Sequence, residues 1–240
     1  MKQVAVFDID GTIFRWQLYH ELFDALVDER IITPEDAEAV LIAREEWRAR
    51  DLSYDEYEQA LIRVMEESII GLDVAKFHAI ADTILTKKGH NVYVYTSGLL
   101  KDLQKRGYTT VAISGSHQQL VERFCELHGI DIAVGRNYAI ADGKIAKDTG
   151  TVANRKKAIL HHVVKEHNLT WENSYAVGDA ASDIAMLELV ENPIAFNPNT
   201  ELLAAAKKHG WPIVIERKSI AYQLEKGVDG TYVLAETVAK

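Results

Sequence analysis

Apolar positions along the chain follow two rhythms. Residues 3–8 read as a short buried strand, in which Val4, Ala5, Val6 and Phe7 run unbroken before Asp8. From there to about residue 88 the period is helical. "WQLYHELFDALVDER" sets Leu18, Leu22, Ala25 and Leu26 on one stripe. "TPEDAEAVLIAREEWRAR" opens with Thr33 as N-cap, Pro34 at the first helical position and two acids behind it. "LSYDEYEQALIRVMEES" begins with a Ser53-x-x-Glu56 capping box. "LDVAKFHAIADTILTKKG" has Asp73 as cap, an apolar stripe at Val74, Phe77, Ile80 and Ile84, and a Lys-Lys-Gly close.

From about residue 90 strands alternate with helices. A helix near 98–106 leads to the strand "TTVAIS", and a helix at 117–128 leads to the strand "DIAVG". "NYAIADGKIAK" reads as a hairpin turning at Asp142-Gly143. A helix over 155–167, the strand "SYAVGD", a helix over 183–190, "PIAFN", another helix and "PIVIE" complete the series. Such alternation predicts an α/β fold: a three-layer, Rossmann-like parallel sheet with both faces covered. The helical block then reads as an α-helical cap inserted after the first strand. Residues 1–14 and 89–240 form the predicted core, and 15–88 the predicted cap domain.

Composition narrows the function. A net charge of −9 with no basic stripe argues against a nucleic-acid binder. No apolar run approaches the ~20 residues that span a bilayer, and "MKQVAVFD" enters a strand without signal-peptide anatomy. The single cysteine, Cys125, fits a reducing cytoplasm. An anionic substrate would therefore need locally placed positive charge.

In an open parallel sheet, ligands bind beyond the carboxyl ends of the strands. Four polar groups stand there. Asp8 and Asp10 lie at period two, so in extended backbone they point the same way, and Gly11 permits a turn. Carboxylates so close repel by on the order of a few kcal/mol unless a cation or proton intervenes. Asp179 and Asp183 in "AVGDAASD" repeat the pattern; either Ser182 or Asp183 caps the next helix, or the two acids are oxygen ligands for a hard cation such as Mg²⁺. Ser114 and Gly115 follow a strand and precede a helix, a setting that suits a phosphate. Arg155, Lys156 and Lys157 open a helix behind Asn154, where the macrodipole disfavours cations. They are either a solvated face or the holders of an anion.

In this order, "DIDGT" at 8–12, "ISGS" at 113–116, a lysine at 156 and "GDAASD" at 178–183 resemble the haloacid dehalogenase superfamily, in particular its phosphoserine phosphatase-like branch. The resemblance implies a Mg²⁺-dependent phosphatase whose cap closes over the site. In it Asp8 is the nucleophile that forms an aspartyl-phosphate, and Asp10 the general acid and base. Thr12, Ser114, Gly115 and Lys156 hold the phosphoryl group. Asp8, the Asp10 backbone carbonyl and Asp179 hold the metal, supported by Asp183. A small phosphorylated metabolite is the implied partner, with no nucleic acid or membrane; oligomeric state is left open. The rival readings are a phosphotransferase using the same intermediate and a catalytically silent binding protein on this fold.

The resemblance departs where substrate is chosen. Gln17 stands where that branch has a glutamate, and Leu61 where it has an arginine, with Arg63 two residues beyond. These departures argue against phosphoserine itself. Among other residues, His117 reads as helix-surface, Cys125 as core packing, and Trp16 and Trp47 as cap packing. Arg15, Arg44 and Arg48 either face the site or pair with nearby acids.

Overall fold

A computed structural model describes all residues except 149–151, 153–154, 219 and 240, and leaves the side chains of 55, 147, 148 and 239 undescribed. The chain divides into two compact units: Met1–Gln17, Gly89–Arg136 and Thr151–Lys240 in one, Leu18–Lys88 and Asn137–Gly150 in the other.

The first unit is built on an eight-stranded sheet. Its strands are β1 (Lys2–Phe7), β2 (Thr109–His117), β3 (Ile132–Arg136), β6 (Leu169–Gly178), β7 (Asn192–Phe196), β8 (Ile213–Arg217), β9 (Ile220–Lys226) and β10 (Tyr232–Ala239). The spatial order is β10-β9-β8-β7-β6-β1-β2-β3, parallel from β8 to β3 and antiparallel at the β8–β9 and β9–β10 pairs. One face buries Val4, Val6, Val111, Ile113 and Ala176 against α7 (Lys156–Glu166), α8 (Ile184–Leu187) and α9 (Thr200–His209). On the other face, Tyr95 of α5 (Val94–Lys105) stacks on Phe196, and α6 (Gln118–His128) packs along β2 and β3. Helix, sheet and helix make the three layers that the alternation of elements predicts.

α5 begins four residues ahead of its expected start. The carboxylate of Glu216, on β8, accepts from the amides of Val94 and Tyr95 at 3.1 and 2.8 Å, so the cap comes from a residue far along the chain. β9 and β10 extend the sheet beyond the series read from sequence. The expected helix over 183–190 shrinks to a 3-10 turn at Ala181–Asp183 followed by α8. Asn154, expected to cap α7, lies outside the described residues.

The second unit holds α1 (Leu18–Asp28), α2 (Pro34–Ala49), α3 (Tyr54–Ile69) and α4 (Val74–Lys88), with the hairpin β4 (Tyr138–Ala141) and β5 (Lys144–Asp148). The caps form as their residues dictate. Thr33 accepts from the Asp36 amide, Ser53 and Glu56 make a reciprocal box, and Asp73 accepts from the amides of Ala75 and Lys76. The hairpin turns at Asp142 and Gly143, both at positive φ as a two-residue turn demands.

The hairpin corrects the sequence boundary, which places it in the core. Two strands alone are marginal, and this pair docks on the loop between α3 and α4. Gly71 donates to Ile145 at 2.7 Å, Ile145 to Leu72 at 2.9 Å and Val74 to Gly143 at 3.0 Å, and Ile145 is buried. Trp16 lies in the sheet unit and is partly exposed rather than packed in the cap.

Within the helical unit, His20 is buried edge-on to Tyr57, whose hydroxyl accepts from Arg44 Nε at 2.8 Å while Arg44 pairs with Asp24. Burial, with Arg44 nearby, lowers the His20 imidazole to about 4. Because this value lies below that of the unfolded chain, His20 contributes stability near neutrality that is lost as pH falls from 6.5 toward 4. Denaturant titrations at pH 7 and pH 5 should show wild type losing about 2 kcal/mol more than His20→Gln.

Candidate active site

The parallel register brings the chemistry together. Phe7 pairs with Ala112 on β2 and with Val177 on β6. The next residues, Asp8, Ile113-Ser114 and Gly178-Asp179, therefore reach one carboxyl edge at one level. The Asp8 amide donates to the Val177 carbonyl at 3.0 Å, fixing the end of β1.

Lys156, the first residue of α7, is buried with its ammonium between two carboxylates. Nζ donates to Asp8 Oδ1 at 2.7 Å and to Asp183 Oδ1 at 2.6 Å. Its neighbours Arg155 and Lys157 are exposed, so the solvated face describes two of the three cations and Lys156 is the inward one. Asp183 Oδ2 accepts from the amides of Asp179 and Ala180 at 3.0 and 3.1 Å. Asp183 thus shapes its own loop while orienting Lys156, a capping role joined to the charge cluster. Thr12 Oγ1 donates to Asp179 Oδ1 at 3.2 Å, and the Thr12 carbonyl accepts from Thr96 Oγ1 at 2.7 Å.

Two glycines permit this closeness. A Cβ on Gly11, where φ is +81°, would stand 2.2 Å from Asp179 Oδ2, and one on Gly178 would stand 2.5 Å from the Asp183 side chain. Larger residues at either position would force the carboxylates apart.

Asp8, Asp179 and Asp183 present ligand oxygens all within 4.8 Å of one another. Burial pushes the Asp8 carboxyl well above its usual range despite Lys156, with Asp183, Asp179 and Asp10 pushing the same way. Burial, then Asp183, raises Asp179 to about 8. Burial works against the Lys156 ammonium, but Asp183 and Asp8 outweigh it and hold the group above its ordinary value. The crowding of the three carboxylates, with the raised proton affinity of Asp8 and Asp179, suits a hard divalent cation, which would relieve the repulsion. Asp10 stands apart from that trio. Its Oδ2 accepts from Ser114 Oγ at 2.5 Å and from Ser116 Oγ at 2.9 Å.

Two expectations need adjusting. β2 continues through His117, so no helix starts directly behind Ser114 and Gly115; Gly115 is exposed on the strand. His117 is not a surface histidine: it is buried and caps α6, its Nδ1 accepting from the Gln119 amide at 3.4 Å. Leu61 is fully buried, so the position matching the expected arginine is a core position. Gln17 is half-buried ahead of α1, and Arg63 is exposed on α3. Arg44 and Arg48 pair with Asp24 and Glu45, while Cys125 is buried among its neighbours. The residue that sequence reasoning missed is Ser116. Its signal was present, since Ser114-x-Ser116 has the same spacing as Asp8-x-Asp10.

A family model described as haloacid dehalogenase-like hydrolase matches residues 5–188. Histidinol-phosphatase of Neisseria meningitidis serogroup C (strain 8013) is 25% identical over 232 residues, covering 89% of this chain and 99% of its own length. Phosphoserine phosphatase of Methanocaldococcus jannaschii is 28% identical over 206 residues, covering 81% of this chain and 85% of its own. A solved structure described as a phospho-aspartyl intermediate analogue of phosphoserine phosphatase shares the fold, with a TM-score of 0.60 at 23% identity over 90% of this chain and 94% of its own.

The crowding of Asp179 predicts opposite effects of one substitution. Metal-free Asp179→Asn should melt several degrees above wild type at pH 8, because the carboxyl held at about 8 loses its stabilising proton as pH rises and the amide has none to lose. Magnesium should raise the melting temperature of wild type and leave the variant nearly unmoved, measured by thermal melts with and without the ion.

Proposed function

The chain belongs to the haloacid dehalogenase-like hydrolase family and is a phosphoric monoester hydrolase; we propose that it hydrolyses a small phosphomonoester, with Mg²⁺ bound, through an aspartyl-phosphate on Asp8. The observation that carries this reading is the buried meeting of Asp8 with Lys156 at 2.7 Å beside Asp179 and Asp183, at the sheet edge where Asp10 also stands. The named phosphatases among its relatives support the reaction class.

In this reading Lys156 and the Ser114 hydroxyl hold phosphoryl oxygens, with Thr12 beside them. Asp8 attacks phosphorus in line, and the bond to the leaving alcohol breaks as Asp10 delivers a proton to its oxygen. Asp10, now ionised, takes a proton from water. The hydroxide so formed attacks phosphorus and breaks the acyl-phosphate bond, releasing phosphate and restoring Asp8. The carboxylates of Asp8 and Asp179, the Asp10 carbonyl and Asp183 in support would hold the Mg²⁺, which supplies charge neutralisation for the phosphoryl oxygens. Lys156 contributes a second cation that needs no loading. Without such neutralisation, a carboxylate could not approach a phosphate dianion.

A small soluble ester suits the acidic chain better than a nucleic acid does, and the cytoplasm is the compartment this reading assigns. Among the described residues, no helix is long and apolar enough to cross a membrane. The test is a phosphate-release screen over small phosphomonoesters with Mg²⁺. Wild type should release phosphate, chelator should abolish release, and Asp8→Asn should lose at least about a thousand-fold. Equal turnover by Asp8→Asn would remove Asp8 from the mechanism. Transfer to an added alcohol in place of phosphate release would make the enzyme a phosphotransferase.

A further inference from the structure

The end of β2 leaves the regular ladder just where it meets Asp10. Ile113 pairs with Val134 and His117 with Arg136, so Ser114, Gly115 and Ser116 together face the single Gly135. Extra residues of this kind bend a strand and re-aim its side chains. Gly135 allows the close approach: a Cβ there would stand 2.9 Å from the Ser116 carbonyl and 2.7 Å from Gln118 Cα. The Gly135 amide also donates to Gln118 Oε1 at 2.5 Å. The bent segment is therefore clamped from β3, and both of its serines are buried with their hydroxyls on one oxygen, Asp10 Oδ2.

These two hydroxyls are not equivalent. Ser114 Oγ accepts the Ser116 amide at 2.9 Å and has one proton, which it gives to Asp10. If Ser114 turns that proton toward a phosphoryl oxygen, the Ser116 hydroxyl still donates to Asp10 Oδ2. We propose that Ser116 is a positioning residue that keeps the Asp10 carboxyl aimed at the leaving-group oxygen when Ser114 transfers its hydrogen bond to the substrate. The inference rests on the reading of Asp10 as general acid. Ser116 does not touch the reacting atoms; it acts by holding the group that delivers the proton as the P–O bond breaks.

The need for this proton depends on the leaving group. A nitrophenolate departs without help, whereas an alkoxide must be protonated as it leaves. The experiment compares kcat/KM for p-nitrophenyl, phenyl and benzyl phosphate with Mg²⁺, in wild type, Asp10→Ala, Ser116→Ala, Ser116→Cys and Ser116→Thr. Ser116→Ala and the near-isosteric Ser116→Cys should stay within about 3-fold of wild type on p-nitrophenyl phosphate and fall about 10- to 100-fold on benzyl phosphate. Ser116→Thr, which keeps the hydroxyl, should recover benzyl phosphate turnover. Melting curves identify the folded variants, and either the alanine or the cysteine form carries the comparison alone. Equal loss on all three esters, or no loss on any, overturns the proposal. If Asp10→Ala steepens the leaving-group dependence while the Ser116 variants do not, the positioning role fails alone. If Asp10→Ala does not steepen it, the general-acid reading fails and takes the inference with it.

Discussion

One ammonium shared between two buried carboxylates governs the arrangement at the carboxyl edge of the sheet. Lys156 lies between Asp8 and Asp183, all three buried with almost no water to screen them, and the half-buried Asp179 is close by. Three carboxylates around a single cation leave the pocket electrically unbalanced, and breaking such a buried pair strands an unpaired charge at a cost of about 3–5 kcal/mol. The surrounding chain is shaped to tolerate that imbalance. Glycines at 11 and 178 remove the side chains that would wedge the carboxylates apart, and two backbone amides turn toward Asp183. A hard divalent cation would suit the carboxylate oxygens that one ammonium leaves unbalanced.

The sheet delivers these groups because parallel strands in register end together. Asp8, Ser114 and Asp179 need no individual placement once β1 lies between β2 and β6. What does need placement is the geometry beyond the strand ends, and distant segments supply it. Glu216 starts α5, α5 presents Thr96 to the Thr12 carbonyl, and Thr12 reaches Asp179. A residue of β8 is thereby linked to the acidic cluster through three successive hydrogen-bonding partners.

Much of the fold was legible because its signals are local. The caps of α2, α3 and α4 and the Asp142-Gly143 turn are each written within a few residues. The acidic positions were legible for a related reason, since Asp8 and Asp179 each follow an apolar strand within a residue or two. Other features depend on contacts between distant segments. Which of Lys156 and Lys157 faces inward is a matter of helix phase, about 100° apart, and is set by how α7 seats on the sheet. The early start of α5 depends on Glu216, and the burial of His117 depends on β2 running on past Ser114. Ser116 was passed over although its spacing matched that of the two aspartates, because a hydroxyl has meaning only once its acceptor is known.

The docking of β4 and β5 on the loop between α3 and α4 has an evolutionary corollary. The helical unit is assembled from two stretches of chain separated by α5, β2, α6 and β3. A single recombination event replacing residues 18–88 would leave the backbone groups of Gly143 and Ile145 in the hairpin without those of Gly71, Leu72 and Val74. Lineages that swap this unit for another must carry both stretches in step, so it behaves as inherited joinery rather than as a detachable module.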